Sequence, residues 1–271
     1  MEALLYENIY KTKDQFSFGK NWRHFLNILN PEKIQDAKNS LMDFLGGEDK
    51  IKGKTFIDVG CGSGLFSLSA YLLGAKRIVS VDIDDNSVWC AEYLRDKEGN
   101  PKNWDIVTGS ALDKKFIDGL GKYDIVYSRG VLHHTGNMYK AFDNVINLID
   151  DKGIFFLAIY NKFISSKVWW YIKYLYNKTP NVLKFIWIML HYIYVAIMYL
   201  IQGKCVVNEM NKYKGRGMDF HTDIIDWLGG FPYDYMTTKE ATKYFNRFGL
   251  KPIKIKEANG PSCWEMLFKK L

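Results

Sequence analysis

Cysteine is scarce in this sequence of 271 residues, and it never occurs in closely spaced pairs. The four cysteines stand alone, without a C-x-x-C pair. This spacing excludes a disulfide-dense secreted scaffold and favours reduced thiols in a cytosolic protein. The first fifteen residues, MEALLYENIYKTKDQ, also lack the apolar core of a secretory signal. We therefore expect a cytoplasmic protein and leave peripheral attachment to a membrane open.

Dense blocks of basic residues are missing as well. The net charge is +7, but the lysines are spread along the chain, so there is no clear signal for nucleic acid binding. An anionic membrane surface or an acidic substrate is equally compatible with this charge. With 48% hydrophobic and 25% charged residues, the composition is that of a globular protein with a sizeable core. The length fits one large domain or one domain with an insertion.

The most informative stretch is residues 55–69, TFIDVGCGSGLFSLS. Its apolar start predicts a buried strand, and the apolar-rich segment from residue 65 to 73 predicts a helix. Glycine has no Cβ and tolerates positive φ, so a glycine-rich turn between strand and helix lets the backbone approach a ligand closely. A tight turn that binds nothing is the alternative interpretation. The turn consists of Gly60, Cys61, Gly62, Ser63 and Gly64.

Two acidic residues flank this turn. Asp58 precedes it, and Asp82 follows Gly60 by 22 positions, at the end of a second predicted strand. A carboxylate at the end of that strand binds ribose hydroxyls in nucleotide-binding folds. The G-x-G-x-G spacing differs from the dinucleotide pattern. Asp58 also favours a ligand with a positive charge and an amino group over a pyrophosphate.

The motifs IDVGCGSG and VDID resemble those of class I S-adenosylmethionine-dependent methyltransferases. The V-L-H-H-T-G and R-G-M…D-W-L-G-G-x-P-Y segments are similar to those of a bacterial subgroup, and the resemblance extends from about Phe18 to the C-terminus. It implies an α/β fold, with a doubly wound, mainly parallel, seven-stranded Rossmann-like sheet and a helical cap inserted after the fifth strand. It also implies methyltransferase activity with S-adenosyl-L-methionine as the cofactor.

The resemblance further implies which residues bind the cofactor. In this family a bulky apolar residue after the ribose acid packs on the adenine, and Ile83 has that position. Many members carry an acid where Ser110 stands, so Asp113 is the other candidate for the adenine amino group. The expected cofactor-binding residues are Phe18, Asp58, Gly60, Cys61, Gly62, Gly64, Asp82, Ile83, Ser110, Ala111, Asp113 and Ser128.

A pair of histidines follows the fourth predicted strand, residues 122–128. In open α/β sheets, ligands bind beyond the carboxyl ends of the strands, so His133 and His134 are placed near the reacting groups. We expect one of them to face the pocket as a general base and the other to pack against the next helix. His221 is the alternative base.

The acceptor pocket is expected in the crowded stretch 216–233 and at the end of the fifth strand. His221, Asp223 and Asp226 have side chains of the types that ligate divalent metals. We favour capping of helix ends and pairing with Arg216 for these acids, so no metal site is predicted. The expected substrate-binding residues are Tyr160, Asn161, Arg216, Asp223, Trp227 and Tyr233.

The predicted organisation has three parts. Residues 1–50 form an N-terminal helical arm and lid, residues 51–162 and 235–271 form the cofactor-binding core, and residues 163–234 form the cap. Residues 185–201 carry no formal charge when the histidine among them is neutral. We favour a cap over the active site that also offers a homodimer surface.

Two other interpretations of the cap stay open. A helix lying in the membrane interface would make residues 168–204 a peripheral membrane contact, supported by Lys173, Lys178, Lys184 and Lys204. A transmembrane span is the third interpretation, although the tyrosines and the tryptophan of 185–201 match hydrocarbon poorly.

The expected reaction is O-methylation of a small molecule, because a sulfonium methyl group is already activated and a histidine suits removal of a hydroxyl proton. A sugar, a polyketide-like or a lipid-like molecule is the expected acceptor. Methylation of tRNA or of another macromolecule is the alternative. A non-catalytic cofactor-binding scaffold at a membrane is the alternative of a different class.

Overall fold

Strands and helices alternate along the part of the chain that the computed structural model describes, which comprises residues 16, 18–211, 220–260 and 262–271. The expected role of Arg216 therefore lies outside the described residues. The same holds for residues 1–15 and 17 of the expected N-terminal arm.

Within the described residues, one sheet contains seven strands. They are β1 (Thr55–Val59), β2 (Arg77–Asp82), β3 (Trp104–Thr108), β4 (Tyr123–Arg129), β5 (Ile149–Tyr160), β6 (Leu250–Lys256) and β7 (Cys263–Lys270). Their order across the sheet is β3-β2-β1-β4-β5-β7-β6. The first five are parallel, and β7 is antiparallel to both β5 and β6. The predicted doubly wound, mainly parallel fold is confirmed.

Helices cover both faces of the sheet and build the cap. In chain order they are α1 (Phe18–Leu26), α2 (Pro31–Leu45), α3 (Leu65–Leu72), α4 (Asp85–Lys97), α5 (Lys114–Asp118), α6 (Met138–Val145), α7 (Ser166–Lys178), α8 (Lys184–Ile201), α9 (Val206–Asn211), α10 (Phe220–Gly229) and α11 (Thr238–Asn246). Several have clear sequence signals at their ends. Asn30 caps the start of α2 by accepting from the Lys33 N–H, and Gly46 ends it with a φ of 95°.

The central strands are apolar on both sides because helices pack against both faces. On one face, Ile57 and Val126 join a cluster with Phe142 of α6 and Phe245 of α11. On the other face, Phe56 lies in a separate cluster that includes residues of α2 and α3. This two-sided packing fixes the carboxyl ends of β1, β2 and β4 at one edge of the sheet, where the site is built.

The residue pattern predicts a helix from Met138 to Ile149 and a fifth strand that begins at Gly153, and the structure corrects both bounds. The helix expected from residue 138 to 149 ends at Val145 and continues as a 3-10 turn, Ile146–Leu148. The next residue, Ile149, already pairs with Tyr123 of β4. The chain therefore enters the sheet four residues before the predicted start of the fifth strand at Gly153.

The described part of the segment between β5 and α11 is helical and forms α7 to α10. Its own aromatic and aliphatic cluster includes Trp169, Leu228 and Phe231, and Tyr160 at the end of β5 joins it. The α8 helix contains no fully buried residue. Of the described helical segments, one, Asn181–Ile201, is long and apolar enough to cross a membrane by length and composition alone.

Candidate active site

The glycine-rich turn joins β1 to α3, and three of its positions require glycine. Gly60, Gly62 and Gly64 have φ values of 79°, 54° and 78°. A Cβ on Gly60 would lie 2.3 Å from a methyl carbon of Val131, and one on Gly62 would lie 2.9 Å from Nε1 of Trp22. Glycine at these positions therefore lets Val131 and Trp22 pack directly against the turn. The backbone of both glycines also lines the cavity described below.

Gly64 has a different role from the other two glycines. A Cβ there would lie 2.8 Å from the Cα of Ala91. Its small size lets α3 begin against α4, and it does not line the cavity described below.

Two buried carboxyl groups lie beside the turn. Asp82 accepts hydrogen bonds from the backbone N–H of Gly62 at 2.9 Å and of Asp84 at 3.0 Å. Asp58 accepts from the hydroxyl of Ser67 at 2.8 Å. Burial raises the pKa of Asp58 to about 7 and that of Asp82 to about 6. A positively charged ligand would favour the ionised form of both groups, so the pair selects for cationic ligands.

A chain of buried hydrogen bonds holds Asp58 in place. Ser67 of α3 donates to Asp58, Ser80 of β2 donates to Ser67 at 2.7 Å, and Nε1 of Trp104 donates to Ser80 at 2.8 Å. The arrangement ties three neighbouring elements to one carboxylate. Sequence reasoning missed it, because nothing in the spacing of these residues marks them as partners.

One cavity of about 630 Å³ joins the turn to the lid, to the ends of β2, β4 and β5, and to the cap. It is within the size range of small-molecule sites. Eleven of the predicted site residues line it: Phe18, Asp58, Gly60, Cys61, Gly62, Asp82, Ile83, Ser110, Ala111, His134 and Tyr160.

Several predicted residues lie outside this lining. Asp113 caps α5 by accepting from the Phe116 N–H at 3.1 Å. Ser128 donates its hydroxyl to the carbonyl oxygen of Val59 at 2.9 Å. Asn161 donates its amide to the carbonyl oxygen of Gly260 at 3.3 Å. These contacts direct the side chains into local structure and not toward the cavity, so Ser110 is the one of the two adenine candidates that lines it.

The other histidines are also separated from the cavity lining. The His133 side chain is completely buried, with its ring centroid 4.3 Å from that of Tyr160. The Nδ1 of His221 lies 3.0 Å from the hydroxyl of Tyr192 on α8. Among the described residues, no group of three or more His, Cys, Asp or Glu side chains is placed to hold a metal ion.

The remaining substrate-site predictions fall on the cap. Trp227 and Tyr233 pack around Tyr160, with ring centroids 5.2 and 4.8 Å away. Neither lines the cavity, and neither does Asp223 of α10. Trp227 and Tyr233 therefore form a layer behind the cavity wall.

His134 has the geometry of a proton acceptor. It lies in the 3-10 turn Leu132–His134 after β4 and lines the cavity. Its Nδ1 is 2.6 Å from the carbonyl oxygen of Pro232. A carbonyl oxygen can only accept, so Nδ1 carries the hydrogen, and Nε2 is the ring nitrogen that can take a proton. The ring also packs against Phe18 of the lid, with a centroid distance of 5.0 Å.

The lid is held to the cap by a contact that sequence reasoning missed. The amide of Asn21 on α1 donates to the Asp226 carboxylate at 2.7 Å and to the Thr222 carbonyl oxygen at 3.1 Å. At the other side, the N–H of Gly19 donates to Asp84 at 3.3 Å. The lid thus spans the glycine turn and the cap, and it places Phe16, Phe18 and Trp22 on the cavity.

A buried lysine is the second feature that was missed. Lys173 of α7 is completely buried, and its Nζ donates to the Trp227 carbonyl oxygen. The Nζ also lies 4.1 Å from the ring of Trp227, 5.0 Å from that of Tyr233 and 5.1 Å from that of Tyr160. Burial lowers its pKa to about 7. The aromatic run around Lys173 in the sequence was the available signal for this environment.

The strand order and the glycine turn are typical of nucleotide-binding α/β folds, in which the ligand cavity lies at the carboxyl ends of the strands. Residues 50–224, well over half of the chain, match the family model described as "Methyltransferase domain". The chain belongs to this family. Membership bears out the predicted methyltransferase class, with S-adenosylmethionine as its cofactor.

Two curated relatives illustrate the similarity. A ubiquinone biosynthesis O-methyltransferase from Pelagibacter ubique is 28% identical over 147 residues, which is 53% of this chain and 58% of the relative. A ribosomal protein L11 methyltransferase from Streptococcus uberis is 31% identical over 106 residues, which is 39% of this chain and 31% of the relative. The alignments thus span less than two thirds of either relative.

Solved structures extend the likeness in fold. The magnesium protoporphyrin IX methyltransferase from Synechocystis PCC 6803, with bound SAH, has a TM-score of 0.56 at 14% identity and covers 93% of this chain and 94% of its own. PKMT2 from Rickettsia typhi, in complex with AdoHcy, has a TM-score of 0.59 at 12% identity and covers 86% of this chain and 52% of its own. At these identities the comparison shows a shared fold.

Proposed function

We propose that this protein transfers a methyl group from S-adenosylmethionine to an oxygen of a small-molecule acceptor, with His134 as the general base. The observation that carries the proposal is that one cavity joins the glycine turn and its two acids to His134. The similarity to an enzyme named as an O-methyltransferase of ubiquinone biosynthesis supports an oxygen acceptor.

The cofactor fits the residues at the turn. Asp82 would accept hydrogen bonds from the ribose hydroxyls, and the backbone of Gly60 and Gly62 lines the cavity next to it. Asp58 attracts the positive amino group. Ile83, which is 62% exposed and lines the cavity, offers an apolar surface for the adenine ring. Ser110 and Ala111 line the cavity beside it.

The chemistry requires alignment and removal of one proton. Bound S-adenosylmethionine supplies a methyl group that is already activated by its positive sulfur. The cavity would hold the acceptor hydroxyl beside that methyl group, next to His134. Nε2 of His134 would take the hydroxyl proton as the methyl group leaves sulfur for the acceptor oxygen and S-adenosylhomocysteine is released, and the carbonyl of Pro232 would stabilise the resulting ring charge through Nδ1–H.

The test measures transfer of tritium from methyl-labelled S-adenosylmethionine to three kinds of acceptor. The first is a small-molecule fraction that contains phenols, sugars and a lipid extract, the second is bulk tRNA, and the third is protein. We expect label in the small-molecule fraction. His134→Gln should lower the rate by about 10²-fold or more, since general base catalysis contributes this much. Cofactor affinity, measured by calorimetry, should change less than twofold.

His24→Gln is the matched control, because His24 is an exposed histidine that does not line the cavity. It should keep the wild-type rate. Label in tRNA or protein would contradict the small-molecule acceptor. An undiminished rate in His134→Gln, with a loss in His221→Gln, would move the base to the cap. Cofactor binding without transfer to any fraction would favour the non-catalytic scaffold.

A further inference from the structure

The α8 helix has its polar and apolar sides reversed relative to a helix on the surface of a soluble domain. A half-buried stripe, formed by Trp187, Ile188, His191 and Tyr192, faces the cap. Two side chains of this stripe carry hydrogen bonds: Nε1 of Trp187 donates to Thr179 at 2.9 Å, and the hydroxyl of Tyr192 lies 3.0 Å from His221. Two of the polar groups of α8 are thus directed inward.

The outward face of α8 is apolar along its whole length. A surface helix ordinarily places charged and polar side chains on this side. Here the face carries no charged residue. Six of its members are between 45% and 57% exposed: Phe185, Ile186, Met189, Leu190, Ile193 and Ile197. So large an apolar surface marks an interaction site.

The formally charged residues of α7 and α8 are all lysines. No Asp or Glu occurs between Asp151 and Glu209, whereas seven lysines fall in that interval. Lys184 and Lys204 stand at the two ends of α8, and Lys167 and Lys178 are exposed on α7. Basic residues that flank an apolar helical face attract anionic lipid headgroups.

We propose that the outward face of α8 docks onto a lipid bilayer that contains anionic headgroups, with the helix lying in the plane of the interface. The contacts of the inward stripe hold α8 against α7 and α10, so the helix stays on the cap and does not cross the bilayer. A second copy of the chain is the weaker occupant, because a symmetric contact would bring the lysines of both copies together.

The test is flotation of the full-length protein with two kinds of vesicle, phosphatidylcholine alone and phosphatidylcholine with 30% phosphatidylglycerol. We expect binding to the anionic vesicles that falls several-fold when salt is raised from 0.1 to 0.5 M. Ile193→Glu should lower the bound fraction at least tenfold. The matched control is Ile253→Glu on β6, because Ile253 is 55% exposed and Ile193 is 52% exposed. It should float like the wild type.

Three results would overturn the proposal. The wild-type protein could fail to float with either vesicle. It could fail to float but sediment as a dimer that Ile193→Glu abolishes, and this result would assign the face to a second copy of the chain. It could resist extraction by alkaline carbonate, which would indicate a spanning helix. Calorimetry with S-adenosylmethionine on the same variants checks that they are folded and keeps failure of docking separate from failure of the proposed reaction.

Discussion

Asp58 and Asp82 are the residues whose ionisation links stability to ligand binding. Their pKa values in the folded protein, about 7 and about 6, lie above the ordinary carboxyl value of 3.8. The folded state therefore holds their protons more tightly than the unfolded state, and its stability falls as the pH rises from about 4 through 7. A cation bound beside them offsets this loss. The site is thus built at a cost to the stability of the empty protein.

Lys173 gives the opposite dependence on pH. Burial lowers its pKa in the folded protein to about 7, below the ordinary 10.5, so the unfolded state binds the proton more tightly between these values. The free energy of unfolding of the wild type should therefore rise relative to Lys173→Met between pH 7 and 10, by about 4 kcal/mol in all. Urea denaturation of both proteins at several pH values measures this difference.

Lys167→Met provides the comparison for this experiment, because Lys167 is an exposed lysine on the same helix. Its difference from the wild type should not change with pH. A constant difference for Lys173→Met would mean that Lys173 stays charged in the folded protein, and the aromatic rings around it would then be the reason for its burial.

At the residue scale, the sequence predicted the parts of the site that are close in the chain. Asp58, the three glycines and Asp82 follow each other at a spacing that the fold requires. The contact of Asn21 with Asp226 joins positions 205 residues apart, and no local pattern indicates it. The sequence also contains two adjacent histidines, His133 and His134, and does not indicate which of them is the general base. The choice depends on the Pro232 carbonyl, which belongs to the distant cap.

Among the elements, the lid contacts the cap through the side-chain amide of Asn21, which donates to both Thr222 and Asp226. Asn21→Ala removes the donor that pairs with the buried Asp226 carboxylate. We expect the lid to close less completely and S-adenosylhomocysteine to dissociate about tenfold faster, since losing a partner of a buried charged group costs roughly 1–3 kcal/mol. Stopped-flow displacement measures this rate.

His24→Ala tests whether the effect is specific to the contact, because His24 is exposed on the same helix. Its dissociation rate should match that of the wild type. An unchanged rate in Asn21→Ala would show that the aromatic residues of the lid hold it closed without this hydrogen bond.

Helices and strands with a clear pattern of apolar residues were predicted well from the sequence. Apart from β5, which begins four residues before its expected start, the strands of the core begin and end within a residue or two of their expected bounds, because apolar runs mark them. The α8 helix was expected as a helix, but its inverted exposure could not be foreseen. Which side of an almost uniformly apolar helix meets the protein is decided by its neighbours in α7 and α10.

For the whole molecule, the cap stands between the cavity and the outward face of α8. Tyr160 at the cavity contacts Trp227, Trp227 contacts Trp169, and Trp169 contacts Tyr194 of α8, at ring distances of 5.2, 5.0 and 5.9 Å. Four aromatic rings in series therefore connect the two surfaces.

The central claim is that the glycine turn and its acids bind S-adenosylmethionine. Calorimetry of the full-length protein at pH 7.5 tests it most directly, with Asp82→Asn as the paired variant. The wild type should bind one equivalent with micromolar affinity, and Asp82→Asn should lose at least tenfold, because the acceptor for the ribose hydroxyls loses its charge. Absence of binding by the wild type, or equal affinity in the variant, would contradict the account.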